Sequence, residues 1–143
     1  MVAPDGGDRQ VRIPTPEAPL RIGVVDDNAL FRRTLVRLIA RQAVLQVVAE
    51  AASGAELDAL LSSDPELLLL DLEVGDESGF VLLEHCHAVS PQLSVILLTG
   101  HDPSALQIPA RDKGAQACWS KSDLRILLET LATQGAAPAP VLY

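Results

Sequence analysis

Three carboxylates dominate the chemistry available to this 143-residue sequence. Asp26 and Asp27 close the largely apolar run Arg21-Ile22-Gly23-Val24-Val25, and Asp71 closes Leu67-Leu68-Leu69-Leu70. Apolar runs of this kind suit a parallel sheet buried on both faces, and such sheets bind ligands at the carboxyl ends of their strands. With those two strands as neighbours, three like charges share one crevice. Two carboxylates about 4 Å apart repel by roughly 4 kcal/mol at an effective dielectric near 20, so the group calls for a cation. Oxygen-only ligands in an open crevice that keeps its waters suit Mg²⁺ better than Ca²⁺. Removing one charge, by Asp26→Asn or Asp27→Asn, is therefore expected to stabilise the metal-free protein. Two further strand ends carry functional groups: Thr99 follows Val95-Ile96-Leu97-Leu98, and Lys121 follows Cys118-Trp119-Ser120.

The elements that must position these groups are five strand-like runs alternating with five helix-like runs, the pattern of a parallel sheet wrapped by helices. A first helix is predicted over about 28–41, where Phe31, Leu35, Leu38 and Ile39 repeat at helical spacing. Arg32, Arg33, Arg37 and Arg41 fall largely on the other, solvated side. The second strand spans Leu45 to Ala51. Ser53-Gly54-Ala55-Glu56 reads as a capping box, Ser53 accepting from the Glu56 amide while Glu56 reaches back, which opens a helix over 54–61. A third strand over 66–70, a third helix over 78–88 and a fourth strand over 93–98 follow. Pro109 disfavours a regular helix between Pro103 and Gly114, so a short, kinked or partly unwound one is expected there. The last strand is 117–120, and the last helix, 123–133, ends before Gly135.

Composition narrows the function. Eleven basic against nineteen acidic residues give a net charge of −8, which argues against direct nucleic-acid binding through phosphates. No run approaches the ~18 apolar residues of a membrane span, and no signal peptide follows Met1. Two cysteines form no disulfide framework and fit a reducing, cytoplasmic setting. Residues 1–19, with four prolines, read as a flexible leader; 20–134 form one domain, and 135–143 a short tail.

Taken in order, Asp26-Asp27, Asp71 with its loop to Gly79, Thr99-Gly100, and Gly114-Ala115 ahead of Lys121 resemble the receiver domain of two-component response regulators. The stretch from Arg21 to Leu57 is most similar to receivers of the NarL/LuxR type, which precede a helix-turn-helix domain. The resemblance implies a flavodoxin-like (βα)₅ α/β fold with strand order 2-1-3-4-5. It implies that Asp71 accepts a phosphoryl group from a histidine kinase or phosphotransfer protein. Asp26, Asp27, Asp71 and the Glu73 main-chain carbonyl would hold Mg²⁺, and Thr99 and Lys121 would contact the phosphoryl oxygens. Its partners would be that kinase, a downstream protein or output domain, and, on activation, a second copy of the chain. Such a domain is a signalling switch rather than an enzyme.

The sequence departs from the family at three places. Val74-Gly75, followed by Asp76 and Glu77, replaces the usual Met-Pro pair and is expected to loosen the loop after Asp71. Ser122 stands where a proline usually follows the lysine. Cys118 occupies the position of the switch Tyr or Phe, and strand alternation puts Trp119 on the opposite side of the sheet. An interaction module that keeps the fold without using phosphate is therefore one alternative. A small Mg²⁺-dependent phosphatase of the haloacid-dehalogenase type is another, since Asp71-Leu72-Glu73 distantly resembles its Asp-x-Asp motif. His85-Cys86-His87 reads as surface and core rather than as a metal site, because successive helical residues diverge by about 100°. His101 is a candidate for the pocket mouth.

Overall fold

Whether the apolar runs form one buried sheet depends on their register, which the computed structural model gives for the described residues, 12–138. The elements are β1 (Leu20–Val25), α1 (Ala29–Ala40), β2 (Leu45–Ala51), α2 (Leu57–Leu61), β3 (Leu67–Asp71), α3 (Gly79–Val89), β4 (Ser94–Thr99), α4 (Gln107–Asp112), β5 (Ala117–Ser120) and α5 (Leu124–Gln134). The five strands are all parallel and lie in the order β2-β1-β3-β4-β5, the flavodoxin-like arrangement the resemblance implies. Alternation along each strand divides the core in two. Ile22, Val24, Leu67, Leu69 and Trp119 pack against α1 and α5, while Val25, Leu68, Leu70 and Cys118 face α2, α3 and α4. Cys118 and Trp119 thus sit on opposite sides of the sheet, as alternation requires.

Local chemistry sets the element ends. The Asn28 side chain accepts from the Phe31 amide at 3.0 Å and starts α1; Ser78 does the same for α3 through the Phe80 amide. Gly135 adopts a left-handed φ of +72° and ends α5. The expected irregular fourth helix is a 3₁₀ turn at Ser104–Leu106 followed by the six residues of α4. Starting the α-helix at Gln107 puts Pro109 in the first turn, where its missing N–H costs no hydrogen bond.

Several expectations are corrected. The capping box is not made: Glu56 Oε1 accepts from the amide of Ala52, one residue before Ser53, at 2.6 Å, and the Ser53 side chain makes no capping bond. Gly54–Glu56 is consequently a 3₁₀ turn, and α2 begins only at Leu57. The loop after Asp71 folds into a hairpin. Glu73–Val74 pairs antiparallel with Glu77–Ser78 across the two-residue turn Gly75-Asp76, where Gly75 has a φ of +63° that suits glycine. Glu77 Oε1 also accepts from the Gly54 amide at 2.9 Å, tying this hairpin to the start of the 3₁₀ turn.

The leader and tail expected at either end lie partly outside the described residues. Within them, Arg12 holds both Glu66 oxygens, at 2.9 and 2.6 Å, and the carbonyls of Ala18 and Pro19, which tethers 12–19 to the amino end of β3. Ala137 is buried; its amide donates to Gln116 Oε1 at 2.6 Å, and its carbonyl accepts from Trp119 Nε1 at 3.0 Å. Cys86 lies in the core; His85 turns outward to Asp58 and half-buried His87 to the Leu93 carbonyl. The His-Cys-His run therefore converges on nothing.

Candidate functional site

Register brings the sequence-predicted groups together. Val25 of β1 lies beside Leu70 of β3, so Asp26 and Asp71 follow as neighbours. Asp71 pairs with Leu98 on β4, and Thr99 pairs with Ser120 on β5, one residue before Lys121. The carboxylates of Asp26, Asp27 and Asp71 each offer an oxygen within 4.8 Å of the others. Asp26 is 1% exposed, Asp71 6% and Thr99 2%, whereas Asp27 faces solvent. One carboxylate thus rims the site and two form its floor.

The hydrogen bonds give each floor group a distinct role. Asp26 Oδ1 accepts from the Asn28 amide at 2.8 Å, and its other oxygen takes the Lys121 ammonium at 2.8 Å. Asp71 Oδ1 lies 3.4 Å from both Lys121 Nζ and the Glu73 amide. Burial pushes the Asp71 carboxyl up to about 6, the charge of Asp26 adds to the rise, and Lys121 with the Glu73 amide opposes it. Thr99 Oγ1 accepts from the His101 amide at 3.1 Å, and the His101 side chain is exposed beyond it. The Glu73 main chain reaches the site through its amide.

Three participants escape sequence reasoning. Arg32, placed on the solvated face, is half-buried: Nη1 donates to the Asp26 carbonyl at 2.6 Å and Nε to Glu50 at 3.1 Å. Asn28 acts through its amide as well as its cap. Phe31 carries the Lys121 ammonium 4.3 Å from its ring centroid. Their position within the first turn after the acid pair is the signal that could have found them. Arg33, Arg37 and Arg41 are exposed as expected.

An all-oxygen donor set, crowded and with one lysine among the described residues set against three acids, suits a hard divalent cation and offers nothing to a soft one. The model of the response regulator receiver domain matches residues 22–132, most of the chain and every group described above. The chain belongs to the response regulator receiver family. This receiver is 34% identical over 119 residues to the nitrate/nitrite response regulator protein NarP of Escherichia coli, covering 81% of this chain and 55% of that relative. It is 30% identical over 126 residues to the transcriptional regulatory protein UhpA of the same species, covering 85% and 63%. The receiver therefore spans roughly half to two thirds of these relatives' length. Among solved structures it is similar to a LuxR-family two-component response regulator from Aurantimonas, with TM-score 0.73, 26% identity, and 85% and 89% of the two chains covered. The receiver domain of the putative response regulator NarL of Mycobacterium tuberculosis aligns with TM-score 0.68 and 26% identity over 80% and 96%. The receiver is thus a signalling domain of two-component systems, and the dehalogenase-type alternative falls away. Among the described residues no helix is long and apolar enough to cross a membrane.

Proposed function

We propose that this receiver accepts a phosphoryl group on Asp71 from a phosphohistidine of a kinase or phosphotransfer protein and so switches its protein contacts. The observation that carries this reading is Asp71 itself: a desolvated carboxylate flanked by Asp26, Asp27 and one lysine, at the carboxyl ends of adjacent strands. Asp26, Asp27, Asp71 and the Glu73 carbonyl are the residues that would hold Mg²⁺. When bound, the ion screens the negative charges of nucleophile and donor. An Asp71 carboxylate oxygen forms the new O–P bond, the donor's P–N bond breaks, and the leaving imidazole keeps the electron pair. Lys121 neutralises the arriving phosphoryl oxygens, and Thr99 turns its hydroxyl from the His101 amide toward them. The added charge of about −1.5 to −2 gives the loop after β4 contacts it lacks in the unmodified state.

The relatives carry further sequence beyond the matched region, so a DNA-binding output domain is the partner this reading assigns to the full protein, with a cytoplasmic location. The replacement of the switch aromatic by buried Cys118 favours a second reading, in which the module signals without phosphate. Intact-mass analysis with Mg²⁺ and acetyl phosphate decides between them. The first reading expects one added phosphoryl group, absent in Asp71→Asn and with chelator. An unmodified parent, or an Asp71→Asn chain labelled as fully as the parent, rejects it.

A further inference from the structure

The ammonium of Lys121 has three N–H donors, yet among the described residues its polar partners are two carboxylates, Asp26 at 2.8 Å and Asp71 at 3.4 Å. Beside these carboxylates the face of Phe31 lies 4.3 Å from Nζ. That ring is not free to drift. Phe31 is half-buried against the core between the sheet, α1 and α5, and its amide is capped by Asn28. The next residue, Arg32, clamps the start of α1 to the Asp26 carbonyl. Acid pair, helix start and aromatic ring therefore form one braced unit, and the lysine, 90 positions further along the chain, rests on it.

We infer that Phe31 is a positioning residue for Lys121, its ring holding the ammonium between Asp26 and Asp71 where an arriving phosphoryl group needs it. The inference rests on the phosphoacceptor reading of Asp71. A lysine stem has four rotatable carbons and a strongly hydrated head, and one side of this one is open to solvent. A wall that attracts the ammonium keeps the stem from turning outward. The chemistry of the wall matters as much as its position. A carboxylate or amide at residue 31 would present an oxygen that competes with the phosphoryl group for the lysine donors. An aromatic face attracts the charge without a directed bond, so the ammonium can slide from Asp26 onto phosphoryl oxygens as the Asp71 O–P bond forms. With acetyl phosphate as donor, the P–O bond breaks and acetate leaves with the electron pair; no proton need move at Lys121.

The test compares the parent, Phe31→Leu and Phe31→Tyr, with Asp71→Asn as control. In chelator and without donor, NMR of the parent should show the Lys121 ε-methylene protons shifted upfield by the ring. That shift should persist in Phe31→Tyr and vanish in Phe31→Leu. With Mg²⁺ and acetyl phosphate, Phe31→Leu should lower the maximal labelling rate about five-fold at an unchanged half-saturating donor concentration, and Phe31→Tyr should restore it. Thermal melts matched to the parent confirm that each variant is folded, and Phe31→Met replaces Phe31→Leu if the latter is not. A labelling rate within two-fold of the parent for the folded aliphatic variant overturns the inference, as does an unshifted Lys121 in the parent. A shifted Lys121 in a parent that takes no label rejects the phosphoacceptor reading and, with it, the catalytic part of the inference.

Discussion

Lys121 is ion-paired to Asp26 more closely than to Asp71, at 2.8 Å against 3.4 Å. The expectation that removing either member of the acid pair relieves the metal-free site is therefore revised. Asp26→Asn gives up the shorter contact to Lys121, and Asp27 lies at the open rim where water screens it. Asp71 is the strained member. In chelator near pH 7.5 we expect the melting temperature to rise for Asp71→Asn, to stay near the parent for Asp27→Asn, and not to rise for Asp26→Asn. A rise in Asp26→Asn equal to that in Asp71→Asn would show that repulsion outweighs the Lys121 pair.

The same carboxyl sets a pH dependence. With its folded value raised to about 6, Asp71 keeps a proton between roughly pH 4 and 6 that the unfolded chain has released. Unfolded protons are then fewer than folded ones, so stability falls as pH rises through this window. The contribution is whole below about pH 4 and gone above about pH 7, worth roughly 3 kcal/mol. Asp71→Asn should abolish it. Chemical denaturation of both chains from pH 4 to 7.5 in chelator gives the comparison, and parallel curves would contradict the assignment.

Gln107 grips the edge of the sheet: Nε2 donates to the Cys118 carbonyl at 2.6 Å, and Oε1 accepts from the Cys118 amide at 3.0 Å. Gln107→Ala should destabilise the domain by about 1–2 kcal/mol and accelerate hydrogen exchange at the Cys118 amide at least ten-fold. Unchanged exchange there would show that the contact contributes nothing in solution.

Cys118 is too small to swing between pockets, so activation is expected to reshape the backbone over residues 99–113 instead. The His101 amide is the sensitive reporter, because its acceptor is the Thr99 hydroxyl that must turn away. Beryllofluoride with Mg²⁺ should change the His101 amide resonance and place the largest exchange differences within 99–113. A saturated site with neither change favours the phosphate-independent module.

Trp119 donates its indole N–H to the Ala137 carbonyl. Ending the chain after Gly135 should redden and broaden its emission and cost about 1 kcal/mol. Emission identical to the parent would mean that the segment after α5 does not shield the indole.

The acids, Thr99 and Lys121 stand out in the sequence because each terminates an apolar run, and strand ends in a parallel sheet share one edge. The sheet order is implied by the resemblance to receiver domains rather than by the run of strands and helices itself. What helical spacing alone does not convey are contacts that depend on tertiary distance, although proximity to the acid pair points to them. Phe31 meets Lys121 across 90 residues, and nothing in helical spacing separates it from other core positions. Arg32 lies on the polar side of α1 by periodicity, but the turn from β1 into α1 brings the Asp26 carbonyl within its reach. Gly75 beside Asp76 and Glu77 suggests looseness in the sequence, although glycine at that place also permits a tight hairpin.

The grip of Gln107 has a further consequence. β5 is a margin of the sheet, and a bare margin is a rail along which another chain can hydrogen-bond and extend the sheet. At Cys118 that rail is occupied by a side-chain amide imitating the peptide unit of a sixth strand. A protein that recognises this flank must read surface side chains or first dislodge a glutamine, and identical copies meeting at high concentration find no template at that point.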